Sequence, residues 1–394
     1  MTNRVYRMTL LLMLALAARA QGQTFTVLYN FTGGLDGWGP YAGLIQDSSG
    51  NLYGTTSLGG DSKCTPGYGY GCGVVFKLDT AGTETVLHTF SGSPDGADPI
   101  APVIRDKAGN LYGTSSYEGP SGNGTVFKID PTGNYTVLYS FTGDSDGCYP
   151  WQGLVRDKAG DLYGTTSSCG SSGYGTIFQV DTAGTFTLLH SFTGRSSDGA
   201  YPYYGHLTMD KAANLYGTTS GGGSSGNGVL YELSKSGTFR VLHSFAGGAS
   251  DGCAPSGSVL LDKAGNYYGT TEYCGSDKDG VIWEVSKTGK EGILHNFGGG
   301  SSDGCNPAAG VTRDSMGDLY GVTYGCGANG KGALYELSGG GTLSLLYSFG
   351  GSDASSAPIG EVLRTAKGTL FGTALTPSPP CCQDTFGTVW SYKP

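Results

Sequence analysis

Apolar residues occur along the chain in short runs that alternate with polar positions, and four types of run recur in a fixed order. One clear example reads GLVRD (153–157), DLYGTT (161–166), GTIFQVD (175–181) and FTLLHSF (186–192). Each run has the length of a strand, and the segments between them are rich in Gly, Asp and Ser, which favour turns. We call the four runs strands A to D. The pattern predicts an all-β protein.

The aromatic–glycine pair of strand B gives the register of the repeat. The aromatic residue is Tyr53, Tyr112, Tyr163, Tyr216, Tyr268, Tyr320 or Phe371, and successive pairs lie 59, 51, 53, 52, 52 and 51 residues apart. Repeats of this length with four strands each are typical of β-propeller blades. An insertion around 61–71 lengthens the first interval. We interpret the strand B glycine as room for close packing between neighbouring blades.

The two ends of the chain complement each other. Residues 24–31 read as a strand D with no strands A to C before it, and residues 387–392 as a strand C with no strand D after it. Pairing the two would complete the last blade and remove an open edge. We therefore predict a seven-bladed β-propeller over residues 24–394, with four antiparallel strands per blade and the N-terminal strand closing the last blade.

The first 20 residues have the pattern of a secretory signal peptide. Arg4 and Arg7 precede an apolar stretch at 8–18, and Ala18-Arg19-Ala20 suits cleavage. The apolar stretch is short for a membrane span, so we expect no membrane insertion after cleavage. Removing three arginines takes the net charge from −9 to −12, which disfavours nucleic acid and anionic lipid as partners. The expected location is secreted or periplasmic.

Ten cysteines in an exported chain predict disulfide bonds. Three repeats carry a Cys after Asp-Gly and another 21 residues later, and the other repeats carry neither. The D-to-A and B-to-C loops of an antiparallel blade lie on one face, so these pairs should bond within blades. The expected bonds are Cys148–Cys169, Cys253–Cys274 and Cys305–Cys326, with Cys64–Cys72 closing the insertion. Cys381 and Cys382 could form an adjacent bridge or stay as two free thiols.

An Asp-Gly pair recurs in six D-to-A loops. Its carboxylates belong to Asp36, Asp95, Asp146, Asp198, Asp251 and Asp303. Six carboxylates around a ring could bind Ca²⁺, which takes oxygen ligands. The alternative is turn chemistry, in which Asp accepts a backbone hydrogen bond and Gly adopts a positive φ. No Asp-rich cation loop accompanies the pairs, so we favour the turn interpretation and expect no cofactor.

The same loops are rich in aromatic residues. Those we select as candidate ligand-binding residues are Trp38, Tyr149, Trp151, Tyr201, Tyr203 and Tyr204. Exposed Trp and Tyr beside small polar residues suit the flat faces of sugars or a protein partner. The alternative for each is packing against a neighbouring loop.

One histidine differs from the other four in its position. His88, His190, His243 and His295 share one place on strand D at the outer edge of four different blades, and we interpret them as structural. His206 instead lies on strand A of blade 4, beside the channel, where most repeats have Gly, Ser or Pro. Glu361 takes the same place in blade 7, nearly opposite. These two are the candidate catalytic residues.

The recurring phrases DxxGNLYGTT, GxVFKLD and TVLHSF resemble the GloVer tandem repeat of exported bacterial proteins. The resemblance covers residues 24–394. It implies an exported protein, often with a C-terminal surface anchor, but no activity that could be assigned to particular residues. Because this sequence ends on Ser391-Tyr392-Lys393-Pro394 without a sorting helix, release is expected rather than anchoring.

Two functions fit these patterns. The first is a secreted, monomeric binding module whose aromatic, Asp-Gly-rich loop face contacts a glycan or an extracellular protein. The alternative is a propeller-fold polysaccharide hydrolase or lyase with its site at the channel mouth, since such enzymes need an acid and a base near one bond. No nucleophile-elbow, zinc-protease or nucleotide-binding motif has the structural context it requires.

Overall fold

The computed structural model describes residues 22–64, 70–351, 355–375 and 386–394. The predicted signal peptide at 1–20 and the cysteine pair Cys381 and Cys382 lie outside the described residues. Within the described ranges the regular structure is all β, and the strands form seven four-stranded antiparallel sheets. The predicted seven-bladed propeller is confirmed.

The blades are numbered in chain order, and each is given by its strands A to D. Blade 1 comprises Ile45–Gln46, Leu52–Thr56, Val74–Leu78 and Glu84–Thr89; blade 2, Ile104–Arg105, Leu111–Ser115, Thr125–Ile129 and Tyr135–Ser140; blade 3, Val155–Arg156, Leu162–Thr166, Thr176–Val180 and Phe186–Ser191. Blade 4 comprises Thr208–Met209, Leu215–Thr219, Val229–Leu233 and Phe239–Ser244; blade 5, Gly252–Leu261, Tyr267–Cys274, Val281–Val285 and Glu291–Asn296. Blade 6 comprises Thr312–Arg313, Leu319–Thr323, Ala333–Leu337 and Leu343–Ser348; blade 7, Leu363–Arg364, Leu370–Ala374, Thr388–Lys393 and Thr24–Asn30. Short ribbons also pair Gly199–Ala200 with Gly221–Gly222, and Gly304–Cys305 with Gly325–Cys326.

The N-terminal strand closes the ring as predicted. Thr24–Asn30 pairs antiparallel with Thr388–Lys393, from Thr24 opposite Lys393 to Asn30 opposite Thr388. Phe25 also stacks on Tyr347 of blade 6, with ring centroids 3.7 Å apart. The closing strand therefore joins the seam by both backbone pairing and side-chain packing.

The strand B glycine serves a different purpose from the one predicted. Gly54 lies opposite Phe76 of its own blade, and a Cβ on Gly54 would stand 2.7 Å from that ring. The same arrangement recurs in every blade, with the glycine under Phe76, Phe127, Phe178, Tyr231, Trp283, Tyr335 or Trp390 of strand C. The expected packing between blades was therefore wrong, because the space is filled by the large aromatic ring of the same blade. That ring is fully buried.

Neighbouring blades are joined near the channel by a hydrogen bond from strand B. The threonine after the strand B glycine donates to a carbonyl of the next blade's channel-lining segment: Thr55 to Ala101, Thr114 to Gln152, Thr270 to Ala309 and Thr373 to Ala42, at 2.8–3.1 Å. Three junctions differ. Thr165 bonds Gln152 within its own blade, the buried Thr218 hydroxyl has no partner among the described residues, and Val322 replaces threonine in blade 6.

Among the described residues, the structure contains no helix with the length and apolarity that a membrane crossing would require.

Candidate functional site at the mouth of the central channel

The D-to-A and B-to-C loops meet on one face of the ring, as predicted. Backbone bridges join them in successive blades, for example Trp38 to Leu58 and Ala97 to Tyr117. In blades 3, 5 and 6 the expected disulfides Cys148–Cys169, Cys253–Cys274 and Cys305–Cys326 add a covalent link, with Cα atoms 5.3–5.5 Å apart. Cys64–Cys72 closes the blade 1 insertion. Four disulfides fit an oxidising, extracytoplasmic compartment.

Each D-to-A loop turns into the channel through a left-handed residue that precedes a proline. These residues are Gly39, Asp98, Tyr149, Tyr201, Ala254, Asn306 and Ala357, with φ between 50° and 69°. Only one of them is glycine, so the other six hold a conformation that L-residues rarely adopt. Such strain is maintained only where the surrounding structure fixes it, and it concentrates at functional sites.

A cavity of about 690 Å³ lies at this mouth, within the size range of small-molecule sites. Blades 1 to 4 contribute aromatic rings to its wall: Tyr41, Tyr117, Trp151, Tyr203 and Tyr204. Apart from Glu361, blades 5 to 7 contribute small or aliphatic residues, including Ala308 and Ile359. Aromatic rings therefore line one half of the mouth, and mainly small or aliphatic residues line the other half.

The predicted ligand-binding residues fall into two groups. Trp151, Tyr203 and Tyr204 line the cavity, and the Trp151 and Tyr203 ring centroids lie 5.4 Å apart. Tyr149 packs on Tyr117, and Tyr201 stacks on Tyr203 from outside the cavity.

Trp38 packs between Tyr70 and Phe386, with ring centroids 5.2 Å away in each case. It does not line the cavity. Tyr117 was not selected from the sequence, although it contributes to the wall.

The channel floor is formed by one residue from each blade, which lies two positions before strand A in every blade except blade 5, where strand A begins earlier and contains it. These are Gly43, Pro102, Gly153, His206, Ser258, Gly310 and Glu361. The two sequence candidates, His206 and Glu361, approach each other across the channel, with Nδ1 and Oε2 3.9 Å apart. Ser258 lies with them and completes a polar cluster, which we call the floor triad.

Hydrogen bonds fix the orientation of the floor triad. The backbone N–H groups of His206 and Ser258 donate to Ser258 Oγ and Glu361 Oε1, at 2.8 and 2.6 Å. Ser258 Oγ also lies 2.7 Å from His206 Nδ1. Because a hydroxyl group can donate one hydrogen bond and accept two, Ser258 Oγ can either donate to Nδ1 or accept from it, according to the tautomer of His206.

Glycines let the strands converge at the floor. Gly310 lies under the Glu361 carboxylate, and a Cβ there would stand 2.7 Å from Oε1. Gly257 has φ +77°, and its Cβ would collide with the backbone at Gly310. A side chain at Gly310 would displace the Glu361 carboxylate from Ser258, and one at Gly257 would force the strands of blades 5 and 6 apart.

His206 and Glu361 also border a second cavity of about 290 Å³, which continues along strand A away from the mouth. Ser258 lines only this second cavity. The floor triad therefore forms the constriction between two compartments of the channel, and both its titratable side chains are one-third exposed.

The mouth also contains a carboxyl group that was not singled out from the sequence. Asp98 lines the cavity at the left-handed position of blade 2. Burial raises its pKa to about 7. Burial, with the nearby Asp98 charge as a smaller cause, likewise raises the pKa of Tyr41 above its ordinary value. With Glu361 at the floor, the described part of the mouth offers two carboxyl groups, and its lining residues include no Lys or Arg.

The six Asp-Gly carboxylates do not converge on one another. Each accepts a hydrogen bond from a backbone N–H four or five residues earlier, as Asp36 does from Thr32 and Asp95 from Ser91. Asp146, Asp198, Asp251 and Asp303 repeat this contact. These contacts are those of turn residues. The accompanying glycine takes a positive φ in blades 1 to 3 only.

The strand D histidines contact these carboxylates at the outer rim. His88, His190, His243 and His295 lie 3.0–3.3 Å from the Asp of the D-to-A loop that follows their strand. His243 is exceptional because Glu291 of blade 5 also approaches it, at 3.6 Å. The interpretation of this histidine as purely structural missed that second carboxylate.

Two departures from the repeat in the sequence point to residues of these sites, Tyr204, which was selected, and Glu291, which was not. The Asp-Gly aspartate precedes the floor residue by seven positions in most repeats but by eight in blade 4, from Asp198 to His206. The extra residue supplies a second tyrosine, Tyr204, to the mouth. Glu291 likewise replaces an aromatic residue found at its position in four repeats.

Comparisons with known proteins agree with the fold. A family model described as the Gloeobacter/Verrucomicrobia repeat matches residues 16–156, 64–260 and 254–394. No curated protein matches the chain.

Among solved structures, the extracellular domain of a proposed one-component system from B. thetaiotaomicron aligns at 11% identity and a TM-score of 0.57, over 93% of this chain and 39% of that chain. Puromycin hydrolase aligns at 12% identity and a TM-score of 0.54, over 86% of this chain and 50% of that chain. The chain spans at most about half of either structure. At this identity the likeness shows the fold alone.

Proposed function

The chain belongs to the Gloeobacter/Verrucomicrobia repeat family, and from that premise we propose that it is a secreted or periplasmic binding module that holds a neutral glycan at the channel mouth. The observation that carries the proposal is the 690 Å³ cavity with its wall of tyrosine and tryptophan rings. Aromatic rings of this kind offer flat apolar surfaces to the faces of sugar rings.

The polar groups of the mouth narrow the ligand class. The Asp98 and Glu361 carboxyl groups can accept or share hydrogen bonds with sugar hydroxyl groups. The described residues that line the cavity include no Lys or Arg to attract an anion, and the imidazole that does line it, His206, lies beside the Glu361 carboxylate. An acidic polysaccharide would bring like charges together, whereas a neutral oligosaccharide would not.

The test compares binding of neutral oligosaccharides to the wild type and two variants, first on a glycan array and then by titration calorimetry. Trp151→Ala removes the ring at the centre of the wall, and we expect at least about a 10-fold loss of affinity, as for a buried aromatic anchor. Tyr273→Ala is the matched control, because Tyr273 is 49% exposed and does not line the cavity. Binding that is insensitive to Trp151→Ala would contradict the proposed site.

The floor triad supports a second candidate, a hydrolase acting at the constriction. Ser258 and His206 are hydrogen bonded, as a nucleophile and its base must be. However, Ser258 and Glu361 approach the same imidazole nitrogen, Nδ1. A serine triad needs its carboxylate on the nitrogen opposite the serine. A reducing-end assay on the bound glycan distinguishes the two functions, since only an enzyme would release product and lose that release in His206→Ala.

A further inference from the structure

The blade junctions at the outer rim are built on one pattern. A residue at the start of strand D of one blade is placed to face the strand D His or Tyr of the preceding blade. Four junctions stack two rings at this point: His88 with Tyr135, Tyr139 with Phe186, His190 with Phe239 and Tyr347 with Phe25, with centroids 3.7–4.5 Å apart. Between blades 4 and 5, Glu291 stands in place of the ring.

The substitution creates a compact group of three potential metal ligands. His243 Nε2 lies 3.3 Å from Asp251 Oδ2 and 3.6 Å from Glu291 Oε2. The three ligand atoms all lie within 4.8 Å of one another. Zinc bonds of about 2.0–2.2 Å at tetrahedral angles separate neighbouring ligand atoms by about 3.4 Å. The two distances from His243 match that spacing.

The surroundings hold the ligands in place and leave one oxygen without a partner. Asp251 accepts backbone hydrogen bonds from Ala246 and Gly252, both at 2.6 Å, which fix its carboxylate. Glu291 Oε1 is buried and has no hydrogen-bond partner among the described residues. A buried carboxylate oxygen without a partner is costly, because it has given up its hydration. The Glu291 oxygen that faces His243 is Oε2, and a cation bound there would neutralise the carboxylate and offset this cost.

We propose that His243, Asp251 and Glu291 bind one divalent metal ion of the zinc type, which links blade 4 to blade 5. The imidazole favours zinc over calcium, since Ca²⁺ takes oxygen ligands whereas Zn²⁺ accepts nitrogen and oxygen together. Two carboxylates and a neutral imidazole balance the charge of a divalent ion. This site is remote from the channel mouth and does not depend on the proposed glycan function.

Two other junctions provide internal controls. Glu84 of blade 1 occupies the place equivalent to Glu291, but its neighbour in blade 7 is Tyr29 rather than a histidine. His190 has its aspartate, Asp198, but packs on Phe239 instead of a glutamate. Each lacks one of the three ligands, so neither should bind the ion tightly.

The experiment is titration calorimetry of Zn²⁺ into the full chain after treatment with EDTA. We expect one saturable site in the wild type. Glu291→Phe restores the ring found at four junctions and should weaken binding by more than about 100-fold, since losing even an outer-shell partner costs about 10- to 100-fold. Glu84→Phe makes the same change where no histidine is present and should leave Zn²⁺ binding unchanged.

A variant that gains a metal site separates loss of metal ligands from loss of folding, because misfolding cannot create a second binding site. Phe239→Glu would place a glutamate beside His190 and Asp198 and should raise the stoichiometry from one ion to two. Glu291→Gln keeps the side-chain shape and should still lose tight binding. The proposal fails if the folded wild type shows no saturable binding, or if folded Glu291→Phe and Glu291→Gln proteins bind Zn²⁺ as tightly as the wild type.

Discussion

At the outer rim, the strand D residue that faces the next blade is always His or Tyr, whereas the equivalent channel positions range from Gly43 to His206 and Glu361. The rim contacts join blade to blade with ring stacks and with aspartates bonded to backbone. The channel contacts leave space and place polar atoms around it. Residue type is therefore restricted at the repeat positions where neighbouring blades pack together. It varies at the positions that face the channel, where a ligand could enter.

The exceptions within each region are as informative as the rule. At the rim, Glu84 and Glu291 replace a stacked ring, and both carry a buried oxygen without a partner among the described residues. At the channel, the threonine bond between blades is absent on both sides of blade 4, where Tyr204 is inserted. In both regions, the positions where the repeat pattern is broken are also those where the usual ring stack or hydrogen bond between blades is missing.

The largest expected effect is on the aromatic core of a blade. Trp283 is fully buried over Gly269, so Trp283→Ala would leave a cavity and should lower the free energy of unfolding by about 3–5 kcal/mol. Urea denaturation measures this. A loss below about 1 kcal/mol would mean that the core collapses to fill the space, contrary to the expected rigidity of the blade.

A smaller, pH-dependent effect is expected at the rim between blades 7 and 1. Burial, with the Asp36 charge, raises the pKa of Glu84 to about 7, so the folded state favours the protonated carboxyl group. Its contribution to the free energy of unfolding is complete below the unfolded pKa of about 4.3 and is lost as pH rises through about 7. Glu84→Phe removes this titration. Its free energy of unfolding, relative to wild type, should therefore rise between pH 5 and pH 8 in urea denaturation, and no such rise would contradict the burial assigned to Glu84.

The smallest expected effect is on stability at the channel mouth. Tyr204 is 41% exposed, so Tyr204→Ala should change the free energy of unfolding by no more than about 0.5 kcal/mol. Urea denaturation of Tyr204→Ala and Trp283→Ala under the same conditions compares their free energies of unfolding directly. A loss near 2 kcal/mol would place the mouth with the structural core and weaken its interpretation as a binding surface.

The fold could be predicted from the sequence because its signals are local and repeated. The aromatic–glycine pair of strand B sets the register, and the paired cysteines mark which loops share a face. The role of that glycine was misjudged, because spacing along the chain does not show which ring fills the space above Gly54. Only the three-dimensional register with Phe76 decides that.

The candidate site was harder to predict because it depends on residues brought together from different blades. His206 and Glu361 were identified as departures from the repeat, but Ser258 was passed over, since serine there resembles the small residues of other repeats. The hydrogen bond from the Ser258 backbone N–H to Glu361 depends on Gly310, which leaves room for the Glu361 side chain to reach across blade 6. Asp98 likewise stands out only once its burial is known.

Pairing of Thr24 with Lys393 has a consequence for how the protein is made. Of the propeller strands, Thr24–Asn30 is synthesised first but is the last to find its partner, because residues 388–393 are synthesised after strands A and B of blade 7 and all of blades 1 to 6. Contacts so far apart in sequence form slowly, since a long loop must close before they form. Until that moment the nascent ring has two unpaired strand edges, which other chains can bind. Export before folding would keep those edges away from the crowded site of synthesis.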